Sequence, residues 1–480
     1  MRNKFLLFIF FMGAGAPSFA QRTLNLRECV DIALEKNLRV KRSLYGVQTA
    51  NVNLWQAKMA FLPTVNLGGG YGQNYGRAIN PVTNQFINRD NNTLNVQATS
   101  SMMLFNAFRL QNAFRQNQRD LEASDADLQK AKNDVIINVV TQYINVIFNK
   151  ELFENARFQL NSSQQQLERI KKQVAAGALP KANELNQEAQ VATNEVNLVN
   201  QENALNLSLL QLKQALQIPA SEEVDVVIPE VAVEDLVLDQ TADEVYQVAL
   251  KEMPEIKAAL LRVESANLAL KASRGGLYPR LTLNASATSN YSSANRDLQI
   301  PVGAPDLIPT QQPIGYFDFA GTQVPVLGYQ YSQNFETREY GQKDQLQDNL
   351  FKNINLSLQI PIFNNWQSRG AVQRAAINTE VARISEIETQ NTLRQTIETA
   401  YNDALAASKT YASSLKQVNA REEAYRMNQQ RFELGAINFV EYQISENDLF
   451  QSRSDLTRAK YNFIFRKKIL DFYQGKPIDY

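Results

Sequence analysis

The residues able to do chemistry in this chain are few in kind. Its 480 residues include no histidine and a single cysteine, Cys29. Without histidine, a Ser-His-Asp triad, a Cys-His dyad and a histidine metal site are all excluded. One cysteine makes no internal disulfide, and Cys29 on a helical face reads as a small buried apolar residue. Two carboxylates could still serve a cell-wall hydrolase, but no fixed acidic pair stands in a cleft-like context. No catalytic residue, metal ligand or cofactor is therefore assigned. Basic and acidic side chains balance at 49 each, which removes the basic excess that nucleic-acid binding needs. What remains is uncharged amide chemistry. Asn66, Asn95, Gln97, Asn284, Asn355 and Gln359 all occupy polar positions in alternating segments.

Those segments are the first elements to place. The stretch NINLSLQIPIF (353–363) puts Ile354, Leu356, Leu358, Ile360 and Ile362 on one side, and Asn353, Asn355, Ser357, Gln359 and Pro361 on the other. That period of two predicts a strand with one oily and one wet face. Val65 to Gly72, Leu94 to Thr99 and Leu281 to Thr288 alternate in the same way. A length of about 9 to 11 residues suits a tilted membrane strand. A soluble sheet would need its oily face covered, and the long helices leaving these strands cannot fold back to cover it. Membrane barrels need about eight strands, and an open edge in lipid leaves backbone groups unpaired at several kcal/mol each. Four strands per chain therefore predict oligomerisation: two copies give a plugged barrel, three give twelve strands and a lumen.

The chain reads as two copies of one unit. Phe61-Leu62-Pro63 answers Leu277-Tyr278-Pro279, 216 residues later, and Leu104-Phe105-Asn106 answers Ile362-Phe363-Asn364, 258 residues later. The offset grows by 42 in one place only, between the proline and the Phe-Asn. No Gly or Pro interrupts 107–176 or 371–434, which predicts helices of roughly 100 Å at 1.5 Å per residue. Ile397, Ala404, Tyr411, Val418, Tyr425 and Phe432 recur every seven residues as a coiled-coil seam. Arg2, Lys4, the apolar run after them and Ser18-Phe19-Ala20 predict a signal peptide over 1–20. The expected organisation is a first repeat over 21–217, an acidic linker over 218–240 and a second repeat over 241–480. The linker is expected to hold a short strand or helix within a solvated acidic run. The 42-residue excess is expected within 291–348, as an ordered loop stiffened by Pro301, Pro305, Pro309 and Pro313.

This ordered pair of repeats, from LNLRECVDIALEKN to the turn RFELGAINFVEYQISENDL, resembles the TolC family of outer-membrane efflux channels. The resemblance implies an α+β, mainly α fold. Long antiparallel coiled-coil helices would form a periplasmic α-barrel, and four strands per chain would join a trimeric 12-stranded membrane β-barrel. It implies a Gram-negative outer-membrane homotrimer in contact with lipid, working with a periplasmic adaptor and an inner-membrane pump of RND or ABC type, in efflux or type I secretion. A structural coiled-coil stalk is the alternative. By the family's motif the periplasmic gate falls at Phe432, Ile437, Glu441 and Ile444. Two charged gate positions are thus apolar here, and Asn183 replaces an acid in the first copy, which leaves an apolar constriction. Glu441 reads either as a single acidic ring or as a solvated carboxylate favoured by its helix N-terminus. Gly177, Ala178, Leu179, Gly435, Ala436 and Ile437 mark the helix-tip turns expected to dock the adaptor.

Overall fold

The computed structural model describes residues 22–79, 84–88, 90–228 and 240–476. The expected signal peptide and residues 229–239 of the acidic linker lie outside the described residues. Strand β1 (Arg22–Leu24) leads into helices α1 (Leu26–Lys36) and α2 (Leu38–Met59). Strands β2 (Thr64–Asn74), β3 (Arg77–Ile79), β4 (Phe86–Asn88) and β5 (Asn91–Phe105) follow. A long hairpin of α3 (Arg109–Ala175) and α4 (Lys181–Ala215) then reaches the short strand β6 (Val224–Val226). The second half runs through α5 (Ala242–Glu252), α6 (Pro254–Gly275), β7 (Arg280–Ser292), β8 (Asp297–Phe319) and β9 (Thr322–Glu339). It closes with α7 (Gln342–Asp348), β10 (Phe351–Gln359), α8 (Gln367–Glu433) and α9 (Phe439–Tyr473).

Helix lengths repeat in pairs. Helices α1 and α5 have 11 residues each, α2 and α6 have 22, α3 and α8 have 67, and α4 and α9 have 35. The local signals repeat too. Asn25 with Glu28 and Thr241 with Glu244 form capping boxes that satisfy the first amides of α1 and α5. Each strand-to-long-helix junction turns through two successive left-handed residues, Ala107-Phe108 and Asn365-Trp366. Among the described residues, no helix is long and apolar enough to cross a membrane.

Of the described residues, those within 1–54, 115–268 and 375–480 make one compact unit. Its largest core gathers Cys29 and Ala33 of α1, Val139, Tyr143 and Val146 of α3, Leu212 of α4, and Val224 and Val226 of β6. Cys29 is fully buried there, as a small apolar residue. Strand β6 pairs in parallel with β1, Val226 opposite Leu24, so the linker's VDV is a strand. Its Asp225 is not merely solvated: Lys150 Nζ lies 2.7 Å from its carboxylate. A second core holds Val245, Tyr246 and Ala249 of α5 with Leu393, Ile397 and Ala404 of α8. The heptad positions Ile397, Ala404 and Val418 are buried, as a coiled-coil seam requires.

Of the described residues, those within 55–114 and 269–374 make the other unit. Its four-stranded sheet has the order β10-β7-β5-β2 and is antiparallel throughout. Strand β10 stops at Gln359, short of the full alternating run. Pro361 has no amide hydrogen to give, so a period of two in side-chain type outlasts the ladder. The extra length between β7 and β10 is a long hairpin, β8 against β9, followed by α7. It reverses at Ala320-Gly321, both left-handed, the geometry a two-residue turn between twisted strands requires. The four prolines of β8 argue against a central strand. They are accommodated because β8 pairs on one side only, with register slips near Val302, Pro309 and Pro313.

Candidate functional site

Two regions carry the residues singled out by sequence. In the sheet, register sorts the side chains into rows. Asn355 stands opposite Asn284, Asn284 opposite Ser101, and Ser101 opposite Thr64. Ser101 Oγ donates to Asn284 Oδ1 at 2.9 Å, and Asn284 Nδ2 donates to Asn355 Oδ1 at 3.2 Å. The next row sets Ser286, Thr99 and Asn66 side by side. Asn95 faces Gly70 and Asn290, and Gln97 faces Gly68 and Thr288. Gln359 Oε1 accepts from Arg280 Nε at 2.8 Å. A groove of about 200 Å³ runs along these amides and hydroxyls, lined by Thr64, Asn66, Thr99, Ser101, Asn284 and Asn355.

The reverse face is apolar and bare. Leu356 pairs with Leu283, and Leu358 with Leu281. Leu67 is 79% exposed and Ile354 77%, though a soluble sheet would bury such side chains. The outer edges of β2 and β10 have no strand partner among the described residues. A sheet with a hydrogen-bonding face, an oily face and two open edges has the chemistry of a barrel wall, not of a catalytic pocket. No group of His, Cys, Asp and Glu able to hold a metal occurs among the described residues.

The second region is the tip of the helical hairpins. Gly177 and Gly435 take φ of +74° and +72°. Ala178 N donates to Gln173 O and Gly177 N to Val174 O; Ala436 N and Gly435 N repeat this with Arg431 O and Phe432 O. These are Schellman turns, and the left-handed position favours glycine. Gly177, Ala178, Leu434, Gly435 and Ala436 are exposed at the turns, and Leu179 is half-buried. Ile437, expected at both gate and docking surface, is instead buried with Ile170, Phe439 and Tyr442. Phe432 stacks on Tyr442 with ring centroids 5.0 Å apart and packs near Phe439 at 5.9 Å. It belongs to the hairpin's own core.

Glu441 lies in the first turn of α9, and Asn438 is the N-cap there. The Glu441 amide donates to Asn438 Oδ1 at 2.9 Å, and its carboxylate accepts from Asn438 Nδ2 at 2.8 Å. It stays exposed, and Ile444 is exposed beside it. Asn183 sits in the first turn of α4, next to Glu184, which pairs with Lys181 at 2.7 Å.

Sequence reasoning passed over the polar residues that join the helices within each hairpin and the two hairpins to each other. Gln190 of α4 exchanges hydrogen bonds with Gln443 and Asn447 of α9 at 3.1 to 3.4 Å. Gln187, fully buried, donates to the Ser163 carbonyl at 2.9 Å. Glu446 of α9 is buried, and Ser162 Oγ donates to its carboxylate at 3.4 Å. Burial pushes this carboxyl above its usual range, with Ser162 and Arg169 pulling back. The hydroxyls of Tyr425 and Tyr442 meet at 3.1 Å, and burial pushes both phenols up. Nothing in the spacing of Gln190, Ser162 or Glu446 marks them, because their partners are about 250 to 290 residues away.

Comparison with known proteins agrees with this geometry. The sequence profile described as "Outer membrane efflux protein" matches residues 29–216 and 245–466. The outer membrane efflux protein BepC of Brucella suis biovar 1 (strain 1330) is 21% identical over 436 residues, covering 90% of this chain and 81% of that protein. The crystal structure of the outer membrane protein VceC from Vibrio cholerae superposes with a TM-score of 0.73 at 13% identity, covering 95% of this chain and 97% of VceC. The CmeC outer membrane channel of Campylobacter jejuni superposes at 0.67 with 16% identity, covering 94% of this chain and 85% of CmeC. Proteins of this kind are not enzymes; they work as trimeric channels with adaptor and pump partners, in the outer membrane of Gram-negative bacteria. With the profile matched across both repeats, this chain belongs to the outer membrane efflux protein family.

Proposed function

We propose that the chain is the passive exit duct of a tripartite export machine, fed by an inner-membrane pump of RND or ABC type through a periplasmic adaptor. The two-faced sheet with open edges is the observation that carries this reading. Three copies joined through β2 and β10 close twelve strands, with the oily rows in lipid and the amide rows inward. Asn66, Asn95, Gln97, Asn284, Asn355 and Gln359 then line the duct with hydrogen-bonding groups that carry no charge, which suits an outlet that does not select cargo strongly. The exposed turn residues Gly177, Ala178, Gly435 and Ala436, with Leu179, form the adaptor-docking end, and Ile437 supports the turn from inside. Closure at that end is apolar, around Ile444, with Glu441 as one acidic ring. The β8–β9 hairpin lies at the cell surface and narrows the exit.

Ala436→Glu tests the docking end. It should abolish export from cells while the purified channel still conducts in planar bilayers. Loss of assembly together with export would reduce the turn to a structural role. A protease site placed at Gly321 should be cut on intact cells, and protection there would refute the hairpin's placement.

A further inference from the structure

The sheet's helix-side end carries positive charge alone. Register gathers the helix-side ends of all four strands at one edge of the sheet: Thr64 opposite Ser101, Phe105 opposite Leu281, and Arg280 opposite Gln359. Around that edge stand Lys58 at the end of α2, Arg109 at the start of α3, Lys271 and Arg274 at the end of α6, and Arg369 and Arg374 in the first turns of α8. All six are exposed. Every acidic residue of this unit is either Asp90 or lies within 297–348, at the opposite strand ends. Among the described residues none of the six has a carboxylate partner. Two of them lie over tryptophan rings instead: Lys58 Nζ is 4.8 Å from the Trp55 ring centroid, and the Arg369 guanidinium is 5.3 Å from that of Trp366. These are the chain's only two tryptophans, and they are 53% and 54% exposed.

We propose that this end of the sheet unit is a collar for anionic phospholipid, its cations pairing with headgroup phosphates in the inner leaflet of the outer membrane. Three observations converge on a lipid surface. The strands that end here have a membrane's span, so the collar falls where acyl chains give way to headgroups. Half-exposed tryptophan settles at that boundary, its ring in the apolar zone and its N–H in the wet one. Six like charges without counter-charges repel one another in the isolated chain, and an anionic leaflet supplies the missing partner. Exposed Leu62, Leu277, Ile362 and Phe363 flank the cations and face acyl chains. Arg280 is not part of the collar, because its guanidinium is bound to Gln359 on the amide face.

The test uses the native channel, extracted from outer membranes into mild detergent, with equimolar cardiolipin and phosphatidylcholine added. Bound lipid is counted by native mass spectrometry. The channel should retain cardiolipin over phosphatidylcholine by about tenfold, and the combined variant Lys58→Gln, Arg274→Gln, Arg369→Gln, Arg374→Gln should bring that ratio close to one. Arg280→Gln, on the amide face, and Arg338→Gln, in the distal hairpin, should leave it unchanged. Should the combined variant not assemble, Lys58→Gln and Arg369→Gln made singly should each lower the ratio in part. Equal retention of both lipids by the native channel, or an undiminished ratio in the variants, overturns the collar. Displacement of cardiolipin by millimolar glycerol 3-phosphate overturns it too, making the patch a site for soluble anions. None of these outcomes bears on whether the protein conducts.

Discussion

The sheet and the hairpin tip solve the problem of apolar side chains in opposite ways. At the tip, Phe432, Phe439 and Tyr442 of one hairpin close on one another and on Ile170 of the other. That core is complete within one chain. In the sheet, Leu67, Ile354, Leu356 and Leu358 stay 60–79% exposed, and two strand edges stay open among the described residues. The sheet is a fragment of a surface whose solvent is lipid and whose remaining strands belong to other copies. A chain can thus finish one region for itself and leave another for assembly.

The comparison breaks first at the tip, where the effect should be largest. Phe439→Ala should cost roughly 3–5 kcal/mol of local stability, the usual range for an aromatic deleted from a packed core. Hydrogen exchange should report this as lost protection in 425–445, with the strands unaffected. If protection drops equally in the sheet, the two regions are not independent. Next is Leu356→Arg, mid-strand on the oily face, expected to cost roughly 2–4 kcal/mol per chain because a charge there faces hydrocarbon. The heat-modifiable, membrane-inserted fraction should fall. Asn355→Ala, one residue away on the amide face, should insert normally; equal loss by both would mean the faces are misassigned.

Gly435→Ala should cost roughly 1–2 kcal/mol, because its φ of +72° crowds any Cβ against the backbone. No other atom lies within reach of an added Cβ, so the cost is backbone strain alone. The smallest effect, and the one that reads the buried polar link, is Glu446→Gln. Burial raises this carboxyl above its unfolded value, so the folded tip favours the protonated form. Its favourable contribution is present below the ordinary carboxylate range and is lost as pH rises through the raised value. Tip protection should therefore increase on acidification in the native protein. The Gln variant should be better protected near neutral pH, and the two should converge in acid. A native tip that loosens in acid would mean the charged carboxylate holds the hairpins together.

Much of this was legible because it is periodic. Identical helix pairs leave fixed offsets, so Leu104-Phe105-Asn106 and Ile362-Phe363-Asn364 located both junctions, and Gly177 and Gly435 located both turns. Strands showed through alternation, except where Pro361 ended a ladder that side-chain pattern continued. The β8–β9 hairpin was hidden by Pro301, Pro305, Pro309 and Pro313, which weigh against strand in sequence and are harmless on a strand paired on one side. The tip was legible in outline only. Motif spacing led to Phe432 and Ile437 but not to their places in the tip core, and Glu446, Ser162 and Gln190 find their partners only because two hairpins lie side by side.

The central claim is that the sheet cannot be finished by one chain. Light scattering of the purified protein in mild detergent tests it most directly, as the protein mass per particle after detergent is subtracted. The account predicts three chains per particle. A stable monomer that stays in solution without detergent would contradict it, because the bare face of Leu67, Ile354 and Leu356 would then be tolerated in water.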